Sequence, residues 1–145
     1  MSVGRFCRRE VWMARDGDAL HEVAVHMRER NVGTLVVMDA ADKVVGIVTD
    51  RDLVVRGLAG EHPVSDLKVN NVMTAQPVVV TEQTSVHAAL EIMKEGAFRR
   101  LPVVNDDGDL VGVFAVDDML GVIARDQALI LDIVSSESPT PPLSM

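Results

Sequence analysis

The residues best suited to chemistry are Thr49 and Asp52, in the stretch Gly46-Ile47-Val48-Thr49-Asp50-Arg51-Asp52. An apolar run (Val44, Val45, Ile47, Val48) leads in and a helix-compatible run (Leu53, Val54, Val55, Arg56) leads out, so the stretch reads as a strand-to-helix turn. Such a turn presents backbone N–H groups at the positive end of a helix dipole, which suits phosphate. An ionised Asp beside it is acceptor-only and can take both O–H groups of a ribose diol. Asp50 and Arg51 stand at the same helix opening, facing either it or solvent. A purely structural role fits the same residues: Thr49 caps the helix and Asp52, three residues on, closes a capping box.

The elements that must position this turn follow from the flanking pattern. Val11-Trp12-Met13-Ala14 predicts a short strand, and Leu20, Val23, Ala24 and Met27 recur at helical spacing. That helix is expected to stop near Asn31-Val32-Gly33, residues that accept left-handed geometry. Two apolar runs, 34–38 and 44–49, flank a polar turn and predict a hairpin. The same order then returns: a strand at 77–81, a cap at Thr84-Ser85, a helix face of Val86, Ala89, Leu90 and Met93, and a hairpin around Asn105-Asp106-Asp107-Gly108-Asp109. Gly46 falls on Gly112, Asp52 on Asp118, His21 on His87 and Leu35 on Leu101, a shift of 66 residues (112 − 46) without a gap.

A matched register of this length implies an internal duplication, two copies of one unit packed with pseudo-twofold symmetry. The fold class is α+β, two β-α-β-β-α repeats. The division by sequence is 1–60 for the first repeat with an N-terminal arm, 61–71 for a linker, 72–134 for the second repeat, and 135–145 for a tail disordered by composition. Arg5, Arg8 and Arg9 make the arm basic, and a solvated arm is expected. The linker should hold one helical turn led by Ser65 or Asp66. The last helix is expected to run from about Met119 to Val134 with a break near Gly121.

Composition narrows the function classes. With 145 residues, 48% hydrophobic and 25% charged, the chain can enclose a core, built from aliphatic residues because aromatics are only 3% and Tyr is absent. Few stacking surfaces and a formal net charge of −8 argue against a nucleic-acid binder. Cys7 is the only cysteine, which excludes an intrachain disulfide and fits a reducing, cytoplasmic setting. No run of about 18 apolar residues predicts a membrane span. His21, His26, His62 and His87 lack metal-ligand spacing, so no metal site is expected, and the acidic loop 105–109 reads as a hairpin tip rather than a calcium loop. No nucleophile-base-orienter set is visible, so no catalytic residues are assigned and the chain is read as a non-enzyme.

The paired units, the Gly46–Asp52 motif and Arg99-Arg100-Leu101-Pro102-Val103-Val104 together resemble a tandem cystathionine-β-synthase-type (CBS) domain protein of the small stand-alone bacterial type, over roughly residues 11–134. The resemblance implies a flat module with two symmetry-related clefts that take adenosine compounds, and modules that pair as disc-like homodimers. It implies that Asp52 accepts the ribose hydroxyls, that Thr49 and nearby N–H groups hold phosphate, and that Arg99 and Arg100 reach the phosphates. Gly112-Val113-Phe114-Ala115-Val116-Asp117-Asp118 keeps the acid as Asp118 but has Ala115 in place of the hydroxyl, which marks a weaker second cleft. The functional expectation is a non-enzymatic sensing module with an adenine nucleotide as regulatory ligand, no required cofactor, and output in trans to an unknown protein partner. The rival is a ligand-free dimerisation scaffold.

Overall fold

In the computed structural model, which describes residues 1–137, the alternating apolar runs pair as the expected hairpins. β1 (Met13–Arg15) leads to α1 (Leu20–Arg30), which stops at Asn31 in left-handed geometry with φ 52°. β2 (Thr34–Met38) and β3 (Val44–Thr49) follow, with Val37 opposite Gly46. β3 runs straight into α2 (Asp50–Asp52), and the chain winds on as a π-helix over Leu53–Leu58. β4 (Thr74–Ala75) and β5 (Val80–Thr81) precede α3 (Val86–Gly96), whose N-cap Ser85 accepts a hydrogen bond from the Ala88 N–H. β6 (Arg100–Val104), β7 (Leu110–Ala115) and α4 (Val116–Glu137) close the order.

The strands make two sheets, β1-β2-β3-β4 and β5-β6-β7, each with a parallel first pair and an antiparallel hairpin. The 66-residue shift holds at ladder level: Val103 faces Gly112 as Val37 faces Gly46, and both hairpins carry an irregularity one residue on. Each sheet buries one face against its own helix. The first core gathers Leu20, Val23, Met27, Leu35, Val37 and Val48; the second gathers Val86, Ala89, Met93, Leu101, Val103 and Phe114. The α+β class and the duplicated unit are as read from the sequence.

The arm is not solvated. Val3 is fully buried in the second core, with Phe6 and Cys7 packed beside it, and residues 3–5 form a 3₁₀ turn. The Val3 N–H donates to the Thr84 carbonyl at 2.8 Å, and Arg8 pairs with Val113 of β7 through two backbone bonds of 2.9 Å. The segment leading into the second half does the same for the first. The Val69 N–H donates to the Asp18 carbonyl at 2.9 Å, Thr74 pairs with Ile47 of β3, and Leu67, Val69 and Val72 join the first core. These contacts obey the same shift (69 − 3 = 66; 74 − 8 = 66). Each half thus receives the segment that closes its core from the stretch preceding the other half. Lys43 Nζ meets Asp109 Oδ1 at 3.1 Å, and since 109 − 43 = 66 this pair joins the two hairpin tips across the pseudo-twofold axis.

Three further differences from the sequence reading have simple causes. Within the 77–81 run only Val80 and Thr81 find a partner strand, while Val78 and Val79 stay 43% and 40% exposed. α4 passes Gly121 unbroken; one interior glycine costs only about 1 kcal/mol, and Met119 anchors the helix in the core. Residues 135–137 of the expected tail are the last turn of α4, and the rest lies outside the described residues. The linker turn forms at Val64–Asp66 behind Pro63.

Candidate functional site

The first turn is built by β3, which ends on Thr49 in extended geometry as the helix begins. The Asp52 N–H donates to Thr49 Oγ1 at 3.1 Å and the Thr49 N–H donates to Asp52 Oδ2 at 2.9 Å, so the capping box forms in full. It fixes the Asp52 rotamer and uses one carboxylate oxygen. The other, Oδ1, has only the Arg56 guanidinium at 3.9 Å, and the side chain keeps 19% of its surface open. Asp50 Oδ1 accepts from the Arg51 N–H at 2.8 Å, and the Asp50 N–H donates to the Gly33 carbonyl at 2.9 Å. That last bond ties the turn to the entry of β2.

The second turn is the same backbone with different side chains. Ala115 has no hydroxyl to cap α4, and the Asp118 carboxylate is taken by Arg8 of the N-terminal segment. Arg8 Nε donates to both oxygens at 3.0 Å and Nη2 donates to Oδ1 at 2.6 Å. Beside it, Arg99 Nη2 donates to Asp117 Oδ1 at 2.5 Å, and this bond holds the Asp117 carboxyl below its usual range. Arg100 makes no ion pair within 4 Å among the described residues, but its charge also acts on Asp117. It lines an open cleft of about 600 Å³ together with Trp12, Gly33, Thr34, Ala115 and Asp118. Thr34 and Arg100 are themselves 66 residues apart and share this cleft, which puts both against the pseudo-twofold axis. Arg99 and Arg100 therefore stand with Asp117 and Asp118, while Thr49, Asp50, Arg51 and Asp52 cluster at the other turn and do not line this cleft.

Two residues that the sequence pattern did not single out enter here. Trp12 lines the cleft with the Arg30 guanidinium 3.7 Å from its ring centroid, and Arg8 grips Asp118. The two signature glycines explain how the leading segments come so close. A Cβ on Gly112 would stand 2.7 Å from the Arg8 carbonyl oxygen and 2.9 Å from Cys7 Sγ; one on Gly46 would stand 2.3 Å from Met73 Sδ. Cys7 is half-buried in that contact, and burial pushes its thiol pKa up, away from nucleophile character. Among the described residues no three His, Cys, Asp or Glu side chains converge as a metal site, and no helix is long and apolar enough to cross a membrane.

A family model for the CBS domain matches this chain twice, over residues 3–58 and 64–125. The chain belongs to the CBS domain family. The matched spans begin at residue 3 and thus include the arm that closes the second core. Among relatives of this CBS pair, the uncharacterised protein YlbB of Bacillus subtilis is 42% identical over 103 residues, 70% of this chain and 68% of YlbB. An uncharacterised protein of Methanopyrus kandleri is 33% identical over 123 residues, 84% of this chain and 62% of its own length. The CBS pair thus spans somewhat under two thirds of that relative. Among solved structures, CBSX2 of Arabidopsis thaliana in complex with AMP is 26% identical, with 87% of this chain and 98% of that chain covered at a TM-score of 0.74. Hypoxic response protein I with two coordinated zinc ions is also 26% identical, with 83% and 97% covered at 0.74.

Proposed function

We propose that this CBS pair is a non-catalytic regulatory module that binds an adenine nucleotide with the ribose on Asp52 and the phosphate at the Thr49 turn. The observation that carries this reading is the completed capping box, which holds Asp52 with Oδ1 free of hydrogen bonds at the opening of a helix. A carboxylate fixed in this way accepts a diol without losing side-chain entropy on binding. The AMP bound by CBSX2, similar over nearly its whole length, supports the ligand class. Arg100 stands on the cleft with Asp118 and not at this turn, so Arg51, within the turn itself, is the guanidinium placed beside the phosphate, a group that grips phosphate through paired N–H bonds. No cofactor is needed for such a role.

Titration with AMP, ADP, ATP, NAD and S-adenosylmethionine tests the class. At least one adenosine compound is expected to saturate the protein below millimolar concentration, and failure of all five would overturn the reading.

Output in trans, from a cytoplasmic protein, is part of the same proposal, as is a homodimer that places two modules side by side. Support for the dimer comes from apolar residues left half-exposed or more on the two trailing helices. Val54, Val55 and Leu58 lie after the first turn, with Leu120, Ile123, Ile130 and Leu131 on α4. Among these, Val54 and Leu120 are equivalent by the 66-residue shift. Surface of this kind is the usual mark of an interface. Sedimentation equilibrium is expected to give twice the 15.7 kDa chain mass, and Ile130→Glu is expected to shift it toward monomer. A wild-type monomer at all concentrations would remove the dimer.

A further inference from the structure

The two ribose-type carboxylates meet different neighbours, and the neighbour is supplied by the exchanged leading segment. Over β3 that segment brings Thr74; over β7, at the equivalent place, it brings Arg8. Thr74 is neutral and leaves Asp52 alone. Arg8 is a fixed cation, since its backbone is pinned by two bonds to Val113 and its guanidinium engages both oxygens of Asp118. The Asp118 side chain is 19% exposed and that of Arg8 73%, so the guanidinium lies on the solvent side of the carboxylate. Asp118 has no capping box to fall back on, because Ala115 lacks the hydroxyl. The pair also stands between two spaces. One is the cleft of about 600 Å³ with Trp12, Thr34 and Arg100; the other, about 690 Å³, is lined by Arg5, Gly121, Val122 and Arg125, and both share Arg8 and Asp118.

We propose that Arg8 is a specificity gate for the second cleft, excluding neutral nucleosides and admitting phosphorylated ones. This rests on the nucleotide reading of the protein and extends it to the Asp118 side. A neutral diol offers Asp118 ordinary hydroxyl donors in place of a charge-assisted fork, and it offers the displaced guanidinium nothing. A nucleotide offers both groups a partner: its ribose takes the carboxylate while its phosphate takes Arg8, with Arg100 on the same cleft to share the charge. Arg8 thus opposes adenosine and assists AMP. Salt screens the Arg8–Asp118 pair, so the exclusion of adenosine should ease as ionic strength rises.

Trp12 is the only tryptophan and lines this cleft, so its fluorescence reports the second site, while calorimetry counts all sites. In wild type, AMP is expected to change Trp12 emission at concentrations where adenosine does not. In Arg8→Ala, adenosine affinity at Trp12 should rise about five-fold, the size of one exposed ion pair, while AMP affinity falls. Arg8→Lys, which keeps the charge and loses the fork, should lie between. Adenosine affinity unchanged or lowered in Arg8→Ala overturns the gate. If calorimetry shows nucleotide binding that depends on Asp52 while Trp12 stays silent in every variant, the gate fails and the nucleotide reading stands. If no nucleotide binds to either protein by either readout, both fail.

Discussion

Val3→Asp is expected to destabilise the protein by about 3–5 kcal/mol, the range for an uncompensated buried charge. Val3 is fully buried beside Phe114 and Met93 in the second core. Loss of the valine alone accounts for roughly 1.5–3 kcal/mol of apolar burial, and the carboxylate finds no cation inside that core to offset its desolvation. Against a typical stability of about 5–15 kcal/mol this removes much of what holds the second half together. Urea denaturation of wild type, Val3→Ala and Val3→Asp reads the effect. Unchanged midpoints would mean that residues 1–9 do not pack on the second repeat.

Phe114→Ala should cost about 3–5 kcal/mol, through lost burial plus the cavity left behind. Phe114 is the largest of the fully buried side chains, and its counterpart in the first half, 66 residues earlier, is the smaller Val48, also fully buried. Val48→Ala removes two methyl groups and should cost about 2 kcal/mol, and Phe114→Leu under about 1.5. The second core therefore depends more on one residue than the first does. Thermal or urea unfolding of the three variants gives the order directly. A loss below about 1 kcal/mol for Phe114→Ala would contradict the packing described.

Much of this fold was legible because hairpins and amphipathic helices announce themselves by local period. Alternation at 34–49 and 100–115, the Asn31 stop and the Ser85 cap are signals within a few residues of the structure they specify. The capping box between Thr49 and Asp52 was readable for the same reason, and it forms. What stayed hidden is non-local. Residues 3–8 look like a basic arm, since Arg5, Arg8 and Arg9 dominate their composition, and their burial comes from a half of the protein some 80 residues away. The signal that could have exposed them was the repeat itself. Carried to the N-terminus, the shift sets Val3 on Val69, Phe6 on Val72 and Cys7 on Met73, an apolar match in register. The grip of Arg8 on Asp118 follows from that same placement and from no local pattern. Strand β5 is short for a related reason, because only Val80 and Thr81 of the 77–81 run lie beside β6.

The exchange of leading segments gives ligand binding a route to the whole molecule. The second turn is gripped directly, Asp118 by Arg8, while the first is reached through β3, the strand that ends on it and pairs with Thr74. A nucleotide that binds one arrangement of the halves better than another shifts the population by that difference in affinity, and this is the whole of what a regulatory ligand can do.

The central claim, that Asp52 at the Thr49 turn is the anchor for an adenine nucleotide, is tested most directly by calorimetric titration of AMP into wild type and Asp52→Ala. Hydrogen bonds from a diol to a charged acceptor contribute about 1.5–3 kcal/mol each, so the variant should bind at least ten-fold more weakly while losing only about 1 kcal/mol of stability with its capping box. Saturable wild-type binding that the substitution weakens in this way is the predicted result. Equal affinity in the two proteins, or no wild-type binding at millimolar AMP, would contradict it.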